Sequence, residues 1–308
     1  MSENKLPSWN ETSTKKSITD FVDKITKEGS PDFIPEEDRI AVFDNDGTLW
    51  TEQPFQIQII YCLDRIKELG EKDPELVKSQ PLKAFYEQDW KTVSEMTKKD
   101  IYEFVVTVLD GKTPDDFKKL VVNWFDKAVH PQFKQSYYKC YYQPQIELLR
   151  YLEDNGFKNF IVSGGGIDFM KAVCTNIYGI PDHRIIGSSF KTKVEYNGNI
   201  PVLVRLPELN SFNDKDEKVN NIHLHIGKKP VFAFGNSDGD LAMIRYTLSK
   251  DNGIAFILHH DDDGREVAYD REFKLSPLIE GLEVAVKEGI NIVSMKNDWK
   301  RVFEDFKN

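Results

Sequence analysis

The sequence predicts an α/β protein: a doubly wound, mostly parallel sheet with a helical segment inserted after the first strand. Three short apolar runs predict it. Each stops abruptly at a polar, glycine-bearing loop: Ile40–Phe43 before Asp44, residues 157–162 before Ser163, and residues 230–234 before Gly235. Stretches of helical periodicity separate the runs, and strands alternating with helices across short turns build parallel sheets covered on both faces. The carboxyl ends of such strands lie along one side, so the three loops can converge on one crevice.

Taken in order, residues 1–15 are polar, with Trp9 free to dock on the body. Residues 17–27 set Ile18, Phe21, Val22 and Ile25 on one helical face, and Gly29-Ser30-Pro31 ends the helix. Ile40, Ala41, Val42 and Phe43 lack polar alternation, which reads as a strand buried on both faces. From residue 53 to about 133 the pattern is helical. Phe55, Ile57, Ile59, Ile60, Leu63, Ile66 and Leu69 fall at mainly helical spacings, with Gly70 a natural stop. Residues 76–88 and 93–109 read as further helices. Thr113-Pro114 opens another, whose buried face is Phe117, Leu120, Val121, Trp124, Phe125 and Val129. Four helices in succession predict a helical subdomain over 51–137, set against a core of 1–50 and 138–308. Trp90, Tyr102, Phe104 and Trp124 are its expected core.

The alternating pattern then resumes with a helix over 144–152, the strand 157–162 and a helix at Ile167–Tyr178. Asn197-Gly198 predicts a β-hairpin within 185–204. Beyond a loop at 210–216 come a helix (217–226), a strand (230–234), a helix (241–249) and a strand (253–258). The tail from Asp270 is polar with scattered apolar anchors.

With 308 residues, 40% hydrophobic and 30% charged, the chain reads as a soluble globular protein large enough for two domains. A net charge of -10 argues against a nucleic-acid backbone as partner. No window resembles a signal peptide or a membrane span, so the expectation is a cytoplasmic protein without a membrane partner. Cys62, Cys140 and Cys174 are scattered without a CxxC pair, which suggests neither a disulfide framework nor a zinc site.

The first loop carries the chemistry. Of two carboxylates two residues apart, one can attack phosphorus while the other moves protons, and both can help to hold a divalent cation. An Asp-Gly turn kept for solubility is the alternative, but such a turn need not abut a buried strand. Ser163-Gly164-Gly165-Gly166 lets backbone N–H groups approach an anion, with the Ser163 hydroxyl and the start of the following helix beside them.

The ordered set Asp44-Asn45-Asp46-Gly47-Thr48, Ile161-Val162-Ser163-Gly164-Gly165, Lys218, and Gly235-Asn236-Ser237-Asp238-Gly239-Asp240 closely resembles the haloacid dehalogenase-like superfamily, in particular its phosphoserine-phosphatase-like branch. The resemblance spans residues 39–258. It implies a Rossmann-like core with an inserted cap, Asp44 as nucleophile and Asp46 as general acid/base. It further implies Thr48, Ser163, Gly164 and Gly165 around the phosphoryl group, and Lys218 neutralising charge. Mg²⁺ is the implied cofactor, held by the Asp44 side chain, the Asp46 main-chain carbonyl, and Asn236 or Asp240. Asp238 is an extra candidate. Asn236 departs from the commonest form, which has an Asp there, so that ligand would be uncharged. Glu52 is a candidate substrate contact able to meet an ammonium group; a hinge or helix start is its alternative.

The segment His259-His260-Asp261-Asp262-Asp263-Gly264-Arg265-Glu266 admits three readings: a metal cluster, a polar network or substrate contact flanking the site, and a charged loop. The function implied is a Mg²⁺-dependent phosphatase acting on a small-molecule phosphomonoester. A phosphotransferase using the same intermediate and a non-catalytic phosphometabolite-binding protein are the alternatives.

Overall fold

The computed structural model describes residues 5–109 and 113–304, apart from the side chains of Ser94, Lys98, Lys99 and Tyr102. Helix α1 (Ser13–Thr26) precedes β1 (Ile40–Phe43). Five helices follow without an intervening strand: α2 (Ile57–Lys72), α3 (Leu82–Glu87), α4 (Trp90–Ser94), α5 (Lys98–Val108) and α6 (Pro114–Phe125). Several boundaries differ from expectation: α2 runs through Gly70 to Lys72, and α6 ends at Phe125, which leaves Val129 outside the helix and exposed. Pro81 cannot sit inside a helix, so α3 begins only at Leu82. Thr97 forms a reciprocal capping box with Asp100, which splits the predicted 93–109 helix in two. Phe104 is buried and stacks on Phe85 at 3.7 Å between ring centroids, whereas Trp90 is 41% exposed and rests on Phe55. Trp124 is half-buried and donates to Asp64; the Tyr102 side chain lies outside the described residues.

The alternation resumes with α7 (Gln143–Asp154), β2 (Lys158–Gly166) and α8 (Ile167–Tyr178). An antiparallel hairpin, β3 (Ile185–Asn197) and β4 (Ile200–Ser211), turns at Gly198, whose φ of 63° suits glycine. Then come α9 (Asp216–Ile226), β5 (Phe232–Gly235), α10 (Leu241–Leu248) and β6 (Ile254–His259). The tail adds α11 (Glu280–Glu288), β7 (Asn291–Ser294) and the short α12 (Met295–Asp298), regular elements that the polar composition did not announce.

The seven strands run in the order β4-β3-β2-β1-β5-β6-β7, all pairs parallel except β3 with β4. This is a doubly wound sheet. Successive residues of β1 feed opposite layers: Ala41 and Phe43 pack with α1, α7 and α8, while Ile40 and Val42 pack with α9, α10 and α11. From central β1 the chain winds first toward β2 and later, from β5, toward the other edge. The switch point is therefore the crevice between β1 and β5, where doubly wound sheets hold their ligands. Cys62, Cys140 and Cys174 are free and buried. Among the described residues no helix is long and apolar enough to cross a membrane.

Candidate active site

The loop after β1 is pinned at the switch point by its backbone. The Asp44 N–H donates to the Phe234 carbonyl across the β1–β5 crevice at 2.9 Å. The Asn45 carbonyl then collects the N–H groups of Thr48, Leu49 and Trp50, closing a tight turn. Gly47, at φ 73°, is required twice over. Its conformation is left-handed, and a Cβ there would lie 2.2 Å from Asn236 Nδ2 and 2.4 Å from Glu52 Oε1.

Lys218 rises from the first turn of α9 and is 3% exposed. Its ammonium donates to Asp44 Oδ1 at 2.7 Å and to Asp240 Oδ1 at 2.5 Å. Burial works against the ammonium, but Asp240 and Asp44 outweigh it and raise its pKa, so the lysine stays charged. Burial pushes the Asp44 carboxyl well up against the pull of Lys218, and the nearby charges of Asp240 and Asp46 push the same way. Asp240 spends its other oxygen on the N–H groups of Asn236 and Ser237, which shapes the loop after β5.

Asp46 is partly exposed and accepts from Trp50 Nε1 at 2.8 Å. Burial raises its carboxyl to about 7. The end of β2 comes up beside it: a Cβ at Gly165 would meet Asp46 Oδ2 at 3.3 Å and Ser163 Oγ at 3.5 Å. Ser163-Gly164-Gly165-Gly166 is extended backbone at the strand end, where the register with β3 shifts. The Ser163 carbonyl is held by Asn213, which Asn221 of α9 holds in turn. That chain of amides fixes the helix of Lys218 against β2. From the helical segment, Gln58 accepts the Gly166 N–H at 2.7 Å.

A family profile, haloacid dehalogenase-like hydrolase, matches residues 41–245. The chain belongs to this family. No curated protein matches it. Among solved structures, a functionally unknown protein from Anaerococcus prevotii DSM 20548 is similar with 17% identity, covering 93% of this chain and 92% of its own, at a TM-score of 0.58. A protein of unknown function from Bordetella pertussis Tohama I has 13% identity over 83% of this chain and 97% of its own, TM-score 0.50. A phosphoserine phosphohydrolase-like protein from Francisella tularensis subsp. tularensis SCHU S4 has 15% identity over 81% and 98%, TM-score 0.41. At these identities the likeness to the first two is one of fold.

Haloacid dehalogenase-like hydrolases typically use Mg²⁺, so the oxygen donors of the crevice bear on the ion. Among the described residues no three His, Cys, Asp or Glu side chains gather into a metal set. The available donors are of mixed kind. Lys218 engages only Oδ1 of Asp44, and among the described residues no hydrogen-bond donor engages Oδ2 or the Asp46 carbonyl. Asn236 accepts from Thr48 Oγ1 at 3.0 Å and keeps a second lone pair. All are hard oxygens, and three acidic side chains (Asp44, Asp46, Asp240) face the single ammonium of Lys218. The donors and the charge imbalance fit a divalent cation.

Three residues lie differently from what their sequence positions suggested. Thr48 is fully buried with its hydroxyl turned to Asn236. Glu52 is 1% exposed and faces inward. It accepts from Gln56, Asn236, Tyr269 and Ser276. Burial raises its carboxyl, moderated by Ser276, the charge of His260, Tyr269 and Asn236. Asp238 gives both oxygens to the N–H groups of Ile279, Glu280 and Gly281 at the start of α11. In the 259–266 segment, Arg265 ties Asp262 to the carbonyls of Met295 and Trp299, and His259 meets Asp270. His260 reaches the Gly47 carbonyl, making the segment a polar network behind the site.

Proposed function

We propose that this haloacid dehalogenase-like hydrolase is a Mg²⁺-dependent phosphatase of a small-molecule phosphomonoester, of the phosphoserine-phosphatase-like branch. The observation that carries the reading is the Lys218 ammonium held between Asp44 and Asp240, beside an Asp46 poised near neutrality.

The Asp44 carboxylate attacks phosphorus, and the ester P–O bond breaks as Asp46 gives its proton to the leaving oxygen. Water then attacks the aspartyl-phosphate. Asp46 takes the water proton back, the bond to Asp44 breaks, and inorganic phosphate leaves. An acid that must donate and then accept works best with a pKa near the operating pH, and about 7 meets that need. Lys218 neutralises charge on Asp44 and on the phosphoryl oxygens. The Ser163 hydroxyl and the Gly164 N–H orient those oxygens, the Gly165 N–H holds Ser163 Oγ in place at 3.1 Å, and Thr48 acts through Asn236. The Asp44 carboxylate, the Asp46 carbonyl and the Asn236 amide oxygen would hold Mg²⁺, which when bound would supply charge neutralisation at the phosphoryl group. Asp240, with both oxygens spent, orients Lys218 instead.

The helical segment 51–137 serves as a cap over a core of 1–50 and 138–308, limiting access to metabolite-sized substrates. Phosphate release from an aryl phosphate tests the reading. Wild type is expected to turn over with Mg²⁺ and to stop with EDTA, while Asp44→Asn loses about a thousandfold or more. Hydrolysis undiminished in Asp44→Asn overturns it.

A further inference from the structure

Position 236 carries an amide, yet a carboxylate stands directly behind it. Asn236 Nδ2 donates to Glu52 Oε1 at 2.8 Å, and Asn236 Oδ1 accepts from Thr48. Only the NH₂ end of the amide can donate to a carboxylate, and this sets its orientation. Glu52 Oε1 also accepts from Tyr269 at 2.8 Å, and Oε2 accepts from Ser276 at 2.6 Å and from the Gln56 amide at 3.1 Å. Each carboxylate oxygen therefore faces one amide N–H that can only donate, an arrangement suited to the ionised group. The pair is packed under the turn of the nucleophile loop, where a Gly47 side chain would strike both Asn236 and Glu52.

We propose that Glu52 is a positioning residue for the cation: through the Asn236 amide it supplies the negative charge that position 236 lacks. This rests on the metal-dependent reading above. The carboxylate does two things to the amide. It locks the NH₂ end away from the crevice, which leaves Oδ1 toward the loop of Asp44 and Asp46. It also polarises the amide, making Oδ1 a stronger donor to a hard cation, as carboxylates behind metal-bound groups commonly do. Glu52 then meets no substrate, because each of its oxygens is already engaged by two donors.

Calorimetric titration of Mg²⁺, and separately Mn²⁺, into the metal-free full chain tests this, with far-UV circular dichroism as the check on folding. Glu52→Gln is expected to weaken cation binding about 10- to 100-fold. The double variant Glu52→Gln, Asn236→Asp keeps one carboxylate and one amide in the pair but moves the charge onto the ligand, and is expected to restore wild-type affinity or better. Folded Glu52→Gln with unchanged affinity overturns the proposal while leaving the phosphatase reading intact. If Glu52→Gln does not fold, a double variant binding tenfold or more weakly than wild type overturns it. So does a substrate effect alone, in which Glu52→Gln raises KM for phosphoserine but not for an aryl phosphate and leaves cation affinity as it was. Wild type that binds neither cation removes the metal from both readings.

Discussion

His260 Nε2 donates to the carbonyl oxygen of Gly47, 213 positions earlier, at 2.7 Å. The same ring stacks on Tyr269, with centroids 4.3 Å apart, and its Nδ1 lies 3.5 Å from Glu266 Oε2. Burial opposes the Glu266 charge, but His260, Thr51 and the Val267 N–H outweigh it and hold the carboxyl below its ordinary range. A buried imidazole thus braces the turn that carries Asp44 and Asp46. His260→Ala leaves the Gly47 carbonyl without its donor and removes the ring beside Glu266. The expected cost is about 1–3 kcal/mol in a urea melt, with kcat falling more than KM rises. His260→Gln, whose amide can still donate, should recover part of both. An alanine variant with wild-type kcat removes the bracing role.

Asp46 ties stability to pH. Burial raises its carboxyl to about 7 in the folded chain, against 3.8 for an ordinary aspartate. Between those values the native state holds a proton that the unfolded chain has released. Stability is therefore full below the lower value and falls as pH rises toward the upper one, by up to about 1.4 kcal/mol per pH unit. Asp46→Asn removes that contribution. Denaturant melts of metal-free wild type and variant at about pH 5 and about pH 7.5 check it, and equal pH slopes count against the raised carboxyl.

Among the described residues Lys218 is the sole ammonium bonded to Asp44 and Asp240, both of them buried. Lys218→Met keeps the bulk but strands two carboxylates in a water-poor site, at a cost of about 3–5 kcal/mol. Lys218→Arg should not rescue activity, because a planar fork cannot bridge the same two oxygens as a point charge does. Melts combined with phosphate release decide this; a stable, active Lys218→Met protein overturns it.

The elements around these residues were unequally legible in the sequence. β1 and the two strands flanking it were plain, since runs such as Ile40-Ala41-Val42-Phe43 are buried on both faces and end at glycine-bearing loops. β7 was not: Asn291-Ile292-Val293-Ser294 is four residues long, with only Val293 fully buried. Helix α11 hid for a related reason, because Val286 points outward, 97% exposed, and spoils the apolar stripe. At the site, the proximity of Asp44 to Lys218 followed from motif order. Asn213, Tyr269 and Ser276 left no such mark. Amides and hydroxyls carry no spacing signature, and Tyr269 and Ser276 meet Glu52 across 217 and 224 positions of sequence. Glu52 itself was visible, but the direction it faces depends on those distant donors.

Asp238 lies between two loop residues that shape the site, Asn236 and Asp240, yet its bonds lead elsewhere. Its carboxylate takes the N–H groups of Ile279, Glu280 and Gly281 at 2.9–3.1 Å, so it caps α11 from outside that helix. An anion at a helix N-terminus satisfies orphan donors and meets the positive end of the dipole. Removing it should act on the fold and spare the cation. Asp238→Ala is expected to lose about 1–2 kcal/mol in a urea melt with Mg²⁺ affinity unchanged, and Asp238→Asn, still able to cap, to lose less. The opposite pattern, an unchanged melt with binding weakened tenfold, would move Asp238 into the cation site and make the loop after β5 acidic where Asn236 leaves it neutral.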